Sequence, residues 1–378
     1  MSGATTAVLG GLATGAAFGV VLYKVGASRF SRVIGMLTLR DTKVMKFAFT
    51  AVATASVLYG LASVLGFAEP MHLVPRVMPF LGSAHVLGGV IFGLAMGTTG
   101  TCPGTCVAKA GGMGGDKRFA TLFSIAGLVL GILAYSVVKT PLTDAGVIAT
   151  NQKPITLHGL LGLPYGVVAI AWGALFFAIA TAVDRFLPEK AYTPAKAARS
   201  LVEIVRGEWS WLAGGVLGGT IIVLATAQNG YLGFSGAALA VVGGAAHLVG
   251  HPMELVPKVN DDILWRAMLI IGVFPGGFLA KLFSTPSEAA THPTVKATFS
   301  LKASSKAMVG GFGLALGAMI GGGCTTGAFI AAWPTLSVGS LAMGGTFFIV
   351  SMATSNLLLA TRRLDFAEAQ RIGDEVYD

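Results

Sequence analysis

No Asp, Glu, Lys or Arg occurs in residues 77–108, 119–138, 154–183, 209–253 or 307–361. A helix that crosses a bilayer needs about 20 mostly apolar residues. An Arg, Lys or Asp at its centre costs about 2.5–3.5 kcal/mol on insertion scales. Runs this long without a charge are too extended for soluble core helices, so they require a membrane. Composition agrees. Charged residues make up 11% of the 378 and hydrophobic residues 54%, whereas a soluble chain carries about 25% charged residues. The 53 glycines follow no G-X-Y period, which excludes collagen, and the apolar content excludes low-complexity disorder.

The formal net charge of +9 does not point to nucleic acid. The basic residues lie between the apolar runs, at Lys117–Arg118, at Arg362–Arg363 and around Lys296, Lys302 and Lys306. That is the pattern of cytoplasmic loops in contact with anionic headgroups, so membrane lipids are an expected partner and nucleic acid is not. The first apolar stretch has no basic residue before Lys24, so it lacks the charged start of a secretory signal and reads as a retained segment.

Membrane segments are predicted near 5–23, 44–66, 80–100, 119–138, 157–182, 209–226, 236–250, 263–282, 308–322 and 339–361. The expected fold class is all-α, a polytopic membrane protein of about nine to ten membrane segments. Residues 184–208 carry nine charged residues, with Pro188 and Pro194, and read as a solvated linker. The expected organisation is a first membrane repeat over 1–183, a polar linker over 184–208, a second membrane repeat over 209–361 and a polar, helical tail over 362–378.

The repeat shows in the glycines and cysteines. The same offset of 222 residues separates Gly88-Gly89 from Gly310-Gly311, Gly100 from Gly322 and Cys102 from Cys324. A weaker match pairs Gly11 and Gly15 with Gly215 and Gly219, and Phe30-Ser31 with Phe234-Ser235. Matched, Gly- or Pro-interrupted apolar segments point to two pseudo-symmetric halves with broken or re-entrant helices, and to a site at the breaks. Non-helical backbone at membrane depth is tolerated only when buried in protein or lining a cavity. The run Gly100-Thr101-Cys102-Pro103-Gly104-Thr105 is such a break.

Cys102 and Cys324 each follow a Gly-rich run and start a new short segment. Pro103 suits the first turn of a helix, and Thr325 and Thr326 follow Cys324. Free N–H groups and the positive dipole end at a helix start attract anions. An anion at two such breaks would meet N–H donors, the hydroxyls of Thr101, Thr105, Thr325 and Thr326, and soft sulfur atoms. This combination suits a small anion that itself carries sulfur.

The segments Gly89 to Gly104, with Gly100-Thr101-Cys102-Pro103-Gly104, and Gly311 to Gly327, with Gly322-Gly323-Cys324-Thr325-Thr326-Gly327, resemble the YeeE/YedE sulfur transport family over most of the chain. In many bacteria related units occur as separate half-size proteins, and here both halves lie in one chain. The resemblance implies an all-helical two-repeat bundle pinched from both sides, taking up thiosulfate or a related sulfur anion through the plasma (inner) membrane. It implies a relay of weak S–H···S contacts to successive cysteines, a role that carries onto Cys102 and Cys324. A soluble sulfur-carrier protein on the cytoplasmic side is also implied. The family pattern has a further Cys after Ser-Arg-Phe, and this chain reads Ser28-Arg29-Phe30-Ser31. That relay point is therefore a hydroxyl, and Ser31 joins the expected path. Cys106, four residues after Cys102 and on about the same helix face, is a further relay thiol or simple packing.

Plainer readings stand beside these. Cys102 and Cys324 could be inert cysteines at a tight helix crossing, since Cys packs well and Gly permits close approach; the repeat symmetry argues for function. Glycine runs serve close packing first. The Thr98-Thr99 and Thr325-Thr326 pairs can bond backbone carbonyls. His85 reads as structural or as lining the route. His247 and His251 read as a helix end before Pro252, not a metal pair, and three cysteines at this spacing do not make a zinc site. Trp209 and Trp211 read as an interfacial belt. No catalytic residue, cofactor or metal is expected. No P-loop occurs, and no carboxylate lies in a charge-free run to relay protons. The competing functions are a membrane-embedded sulfurtransferase or redox protein with Cys102 as nucleophile, which needs an activating group, and a non-transporting partner subunit. The charge nearest to Cys102 is Lys109, about two turns on.

Overall fold

The computed structural model describes residues 3–112, 118–187, 206–228, 230–284 and 301–361. Most of the 184–208 linker, the 362–378 tail, Lys117 and Lys296 lie outside them. The helices are α1 (Gly3–Val25), α2 (Phe30–Leu37), α3 (Lys43–Val64), α4 (Ala84–Thr99), α5 (Pro103–Gly112), α6 (Arg118–Asp144), α7 (Leu157–Leu161) and α8 (Tyr165–Phe186). After the linker come α9 (Trp211–Ala227), α10 (Phe234–Leu248), α11 (Asp261–Leu282), α12 (Leu301–Gly321) and α13 (Val338–Ala360). A π-helical segment (Thr325–Ile330) and a 3-10 turn (Trp333–Thr335) stand between α12 and α13. No β-strand forms among the described residues.

Among the described residues, eight helical stretches are long and apolar enough to cross a membrane. Two of them, Ala84–Gly112 and Ser304–Ile330, contain the breaks that carry Cys102 and Cys324. Trp211–Ala227 and Phe234–Leu248 are shorter apolar helices. The chain is therefore an all-α polytopic membrane protein.

Glycine sets how these helices pack. A Cβ on Gly11, Gly15 or Gly19 would run into the carbonyls of Trp265, Leu269 and Val273, so α1 lies flush and parallel against α11. Gly215 and Gly219 do the same for α9 against Phe47 and Ala51 of α3. Gly89, Gly93 and Gly97 of α4 meet Met343, Phe347 and Ser351 of α13, and Gly311 of α12 meets Ser124 of α6. Each pair joins a helix before residue 145 to one after residue 209. Small residues are what allow backbones to come this close in a membrane.

The pairs α1·α11 and α9·α3 point in opposite directions. Gly3, at the start of α1, sits on Asp261, while at its end the Trp209 N–H, just before α9, donates to the Lys24 carbonyl (2.9 Å). The molecule thus has two poles. One carries Lys24, Arg29, Arg32, Lys43, Lys46 and Lys281 at the ends of α1, α2, α3 and α11. The other carries Arg76, Asp261, Asp262 and Arg266.

At the first pole buried cations are paired with carboxylates that reach toward the surface. Arg32 is 2% exposed and binds Asp41 at 2.8 Å and Glu208 at 3.1 Å. Glu208 also holds Arg29 (2.5 Å) and Lys43 (2.9 Å), and Lys46 binds Asp184 (2.6 Å) below the Trp211 ring. Burial pushes the Glu208 carboxyl up, but Arg29, Lys43 and Arg32 together outweigh it and hold the group below the usual carboxylate range. Both described ends of the linker are therefore docked onto the bundle, where the sequence suggested free solvation. Trp211 lies against Lys46 and the core, so it is more than a lipid-facing belt residue.

Candidate functional site

Each break begins with a glycine in the left-handed backbone that residues with side chains rarely adopt. Gly100 caps α4 at φ 58° and ψ 29°, donating its N–H to the Met96 carbonyl (2.8 Å). Gly322 follows α12 at φ 92°. A left-handed residue stops the helix and turns the chain toward the thiol two positions on.

At the first break Cys102 precedes Pro103, the first residue of α5. The Cys102 N–H donates to Thr105 Oγ1 at 2.8 Å, and that hydroxyl lies 3.0 Å from the Cys102 carbonyl and 3.4 Å from Cys102 Sγ. Thr105 therefore caps the helix start, as a polar residue three positions into a helix does, and faces the thiol. Thr101 donates to Thr99 Oγ1 (3.2 Å), and Thr99 and Thr98 return their hydroxyls to helix carbonyls. Cys106 Sγ faces Ser124 Oγ of α6 at 3.4 Å.

At the second break Cys324 is extended (φ −94°, ψ −174°) and its carbonyl accepts from Ala328 N–H at 2.7 Å. The segment that follows is π-helical. Such widened turns are rare and cluster at functional positions. Phe329 and Trp333 stack edge-on at 4.6 Å, with Phe348 and Phe176 around them, and wedge this segment in place. The Thr325 hydroxyl reaches Met96 of α4 (3.9 Å), and Thr326 is buried.

The two breaks lie near each other, the Thr325 hydroxyl after Cys324 reaching Met96 just before Gly100. Cys102, Cys106 and Cys324 are free thiols, all buried, at 6%, 1% and 0% exposure. Cys102 lies within electrostatic reach of both others. Two further chain tips close on them. Phe30 and Ile34 of α2 press on Gly100, which brings the buried Ser31 to this level. Phe234 of α10 presses on Gly104, and Gly233 meets Gly327. Ser235, the partner of Ser31 in the weaker repeat, is also buried at this tip. The repeat itself held the signal for it.

His85 is spoken for. Its Nε2 accepts from the Leu81 N–H (2.9 Å), so its Nδ1 carries the proton and donates to the Gly321 carbonyl (2.8 Å). It clips the start of α4 to the end of α12, beside the Gly322 turn. His247 bonds the Val256 carbonyl through Nε2 (2.7 Å). Among the described residues no group of three or more His, Cys, Asp or Glu could hold a metal.

An open cavity of about 450 Å³ lies at the second pole, lined by Glu69, His72, Arg76, Thr226, Tyr231, Asp262 and Arg266. Arg266 is paired with Asp262 (2.9 Å). Arg76 has no carboxylate partner among the described residues and lies 5.9 Å over the Tyr231 ring. Tyr231 donates its hydroxyl to the Gly327 carbonyl of the π-helical segment. Sequence reasoning missed this vestibule because its residues come from the 69–76 loop, the end of α9 and the start of α11, which meet only in the fold.

A family model described as sulphur transport matches residues 28–353. The chain belongs to this family. It is also 24% identical, over 93% of its length and 99% of the relative's, to the thiosulfate transporter TsuA of Spirochaeta thermophila. The matched region includes Ser31, both breaks and all three cysteines.

Proposed function

We propose that the protein takes up thiosulfate, or a related small sulfur-containing anion, across the plasma (inner) membrane along a central path past Cys324 and Cys102. The observation that carries this is that two matched helix breaks, each bearing a buried thiol, come together in the fold, with Thr325 of one against Met96 of the other. The family and the thiosulfate-transporting relative support the substrate class. The crosswise, inverted helix pairing supports the division into repeats at 1–183 and 209–361. The basic pole around Arg29, Arg32, Lys43 and Lys46 faces the cytoplasm by the positive-inside bias. The vestibule then faces outward and presents Arg76 to an arriving anion.

Along the path the anion trades water for S–H donors of Cys324 and Cys102 and for hydroxyls of Thr326, Thr325, Thr105, Thr101 and Ser31, while Cys106, turned to Ser124 of α6, stands to the side. Contacts of this kind are individually weak, which lets the ion leave each station. No bond is broken, so the protein is not an enzyme. A soluble sulfur-carrier protein at the basic pole is the proposed cytoplasmic acceptor, and lipid headgroups surround that pole.

Purified protein in liposomes should take up labelled thiosulfate, with unlabelled thiosulfate competing and sulfate competing poorly, because sulfate lacks the outer sulfur. Uptake no faster than in protein-free liposomes would overturn the reading.

A further inference from the structure

Cys324 has no exposed surface, but Tyr231, which lines the vestibule, reaches the turn that carries it. What separates the thiol from the vestibule is Tyr231. Its ring lines the vestibule on one side. On the other, its edge fills the space beside Gly233 and Gly327, where added Cβ atoms would lie 2.9 and 3.8 Å from it. Cys324 Sγ lies 4.0 Å from the same Gly327 position, and Tyr231 and Cys324 are within electrostatic reach of each other. The hydroxyl bond to the Gly327 carbonyl ties this ring to the turn that carries the thiol.

We propose that Tyr231 is the gate between the vestibule and the Cys324 thiol, latched by its bond to Gly327 and by Arg76 on its outer face. The inference rests on the transport reading above. An anion in the vestibule cannot touch Cys324 until the ring swings aside. Arg76 is the cation nearest the ring face, held there by the attraction of a cation for the negative face of an aromatic ring. An anion that binds Arg76 competes with that attraction and loosens the latch on its own arrival. Tyr231 thus selects ions that are small enough to pass the turned ring and charged enough to draw Arg76 away.

The test is the rate at which a small neutral thiol reagent, methyl methanethiosulfonate, modifies each cysteine of the purified full-length protein, read by mass spectrometry of the cysteine peptides. A thiol reachable only in a minor open state reacts in proportion to that state's population, so Tyr231→Ala should label Cys324 at least about tenfold faster than the parent. Tyr231→Phe keeps the ring and loses the latch bond, and should fall between the two. Cys106, behind Ser124 of α6, should label at the parental rate in both. Unchanged Cys324 labelling in both variants overturns the gate. So does an equal rise at Cys106 and Cys324, which would mean a loosened fold. The readout needs no thiosulfate movement, so a gate can stand where transport fails, and the reverse.

Discussion

Gly100→Ala should lose most of the uptake activity and unfold more readily than any comparable glycine variant. Two costs add at this position. A side chain at φ 58° costs about 1–2 kcal/mol. The new Cβ would also lie 2.7 Å from the Phe30 ring and 2.9 Å from Ile34, and such overpacking costs about 1–3 kcal/mol. The second cost falls on the tip of α2, so relief of the clash moves Phe30 and with it the neighbouring Ser31. Gly66→Ala isolates the first cost, because Gly66 has φ 76° and open space around it. Thermal unfolding in detergent should rank Gly100→Ala well below Gly66→Ala, with uptake lost only in the former. Equal effects from the two would contradict the tight seat of α2 on the break.

Asp41→Ala should destabilise the protein by about 3 kcal/mol, the lower end of the cost of breaking a buried ion pair, because Arg32 keeps a share of Glu208. Asp41 accepts from Arg32 Nη1 at 2.8 Å and from the Lys43 N–H at 3.0 Å. Its loss leaves the Arg32 guanidinium buried, with Glu208 at 3.1 Å shared among three cations. The pair fixes the turn between α2 and α3, on which the position of Ser31 depends. Lys139→Ala is the contrast. That ion pair with Glu254 spans 3.3 Å between exposed side chains, and exposed pairs contribute about 0–1 kcal/mol. A midpoint for Asp41→Ala close to that of Lys139→Ala would show that the buried cluster is not a structural clasp.

Membrane residence and the position of both breaks were legible in the sequence, since both rest on local chemistry. Long runs without charge have one solution. The pattern of a glycine two residues before a cysteine, repeated 222 residues on, appears in space as two left-handed turns delivering two thiols to one level. The crosswise partners were not legible. Gly15 and Gly219 announce close contacts without saying against what, and the answer lies in Leu269 of α11 and Ala51 of α3. The π-helical turn after Cys324 was hidden for a similar reason, because aromatic residues scattered from Phe176 to Phe348 hold it. Asp184 and Glu208 read as linker charges until Lys46 and Arg32 came into view beside them. Tyr231 carried no motif. Its role depends on Gly327, 96 residues away.

The central claim is that the sulfur anion passes the thiols at the two breaks. The measurement that meets it most directly is initial uptake of labelled thiosulfate into liposomes containing equal amounts of folded parent, Cys324→Ala, Cys102→Ala or Cys106→Ala protein. Replacing the Cys324 or Cys102 side chain removes a buried sulfur contact at a break, and uptake should fall severely in each, with the smallest loss at Cys106, whose thiol faces Ser124 of α6. Parental uptake by both Cys324→Ala and Cys102→Ala would contradict the claim and leave those cysteines as packing alone.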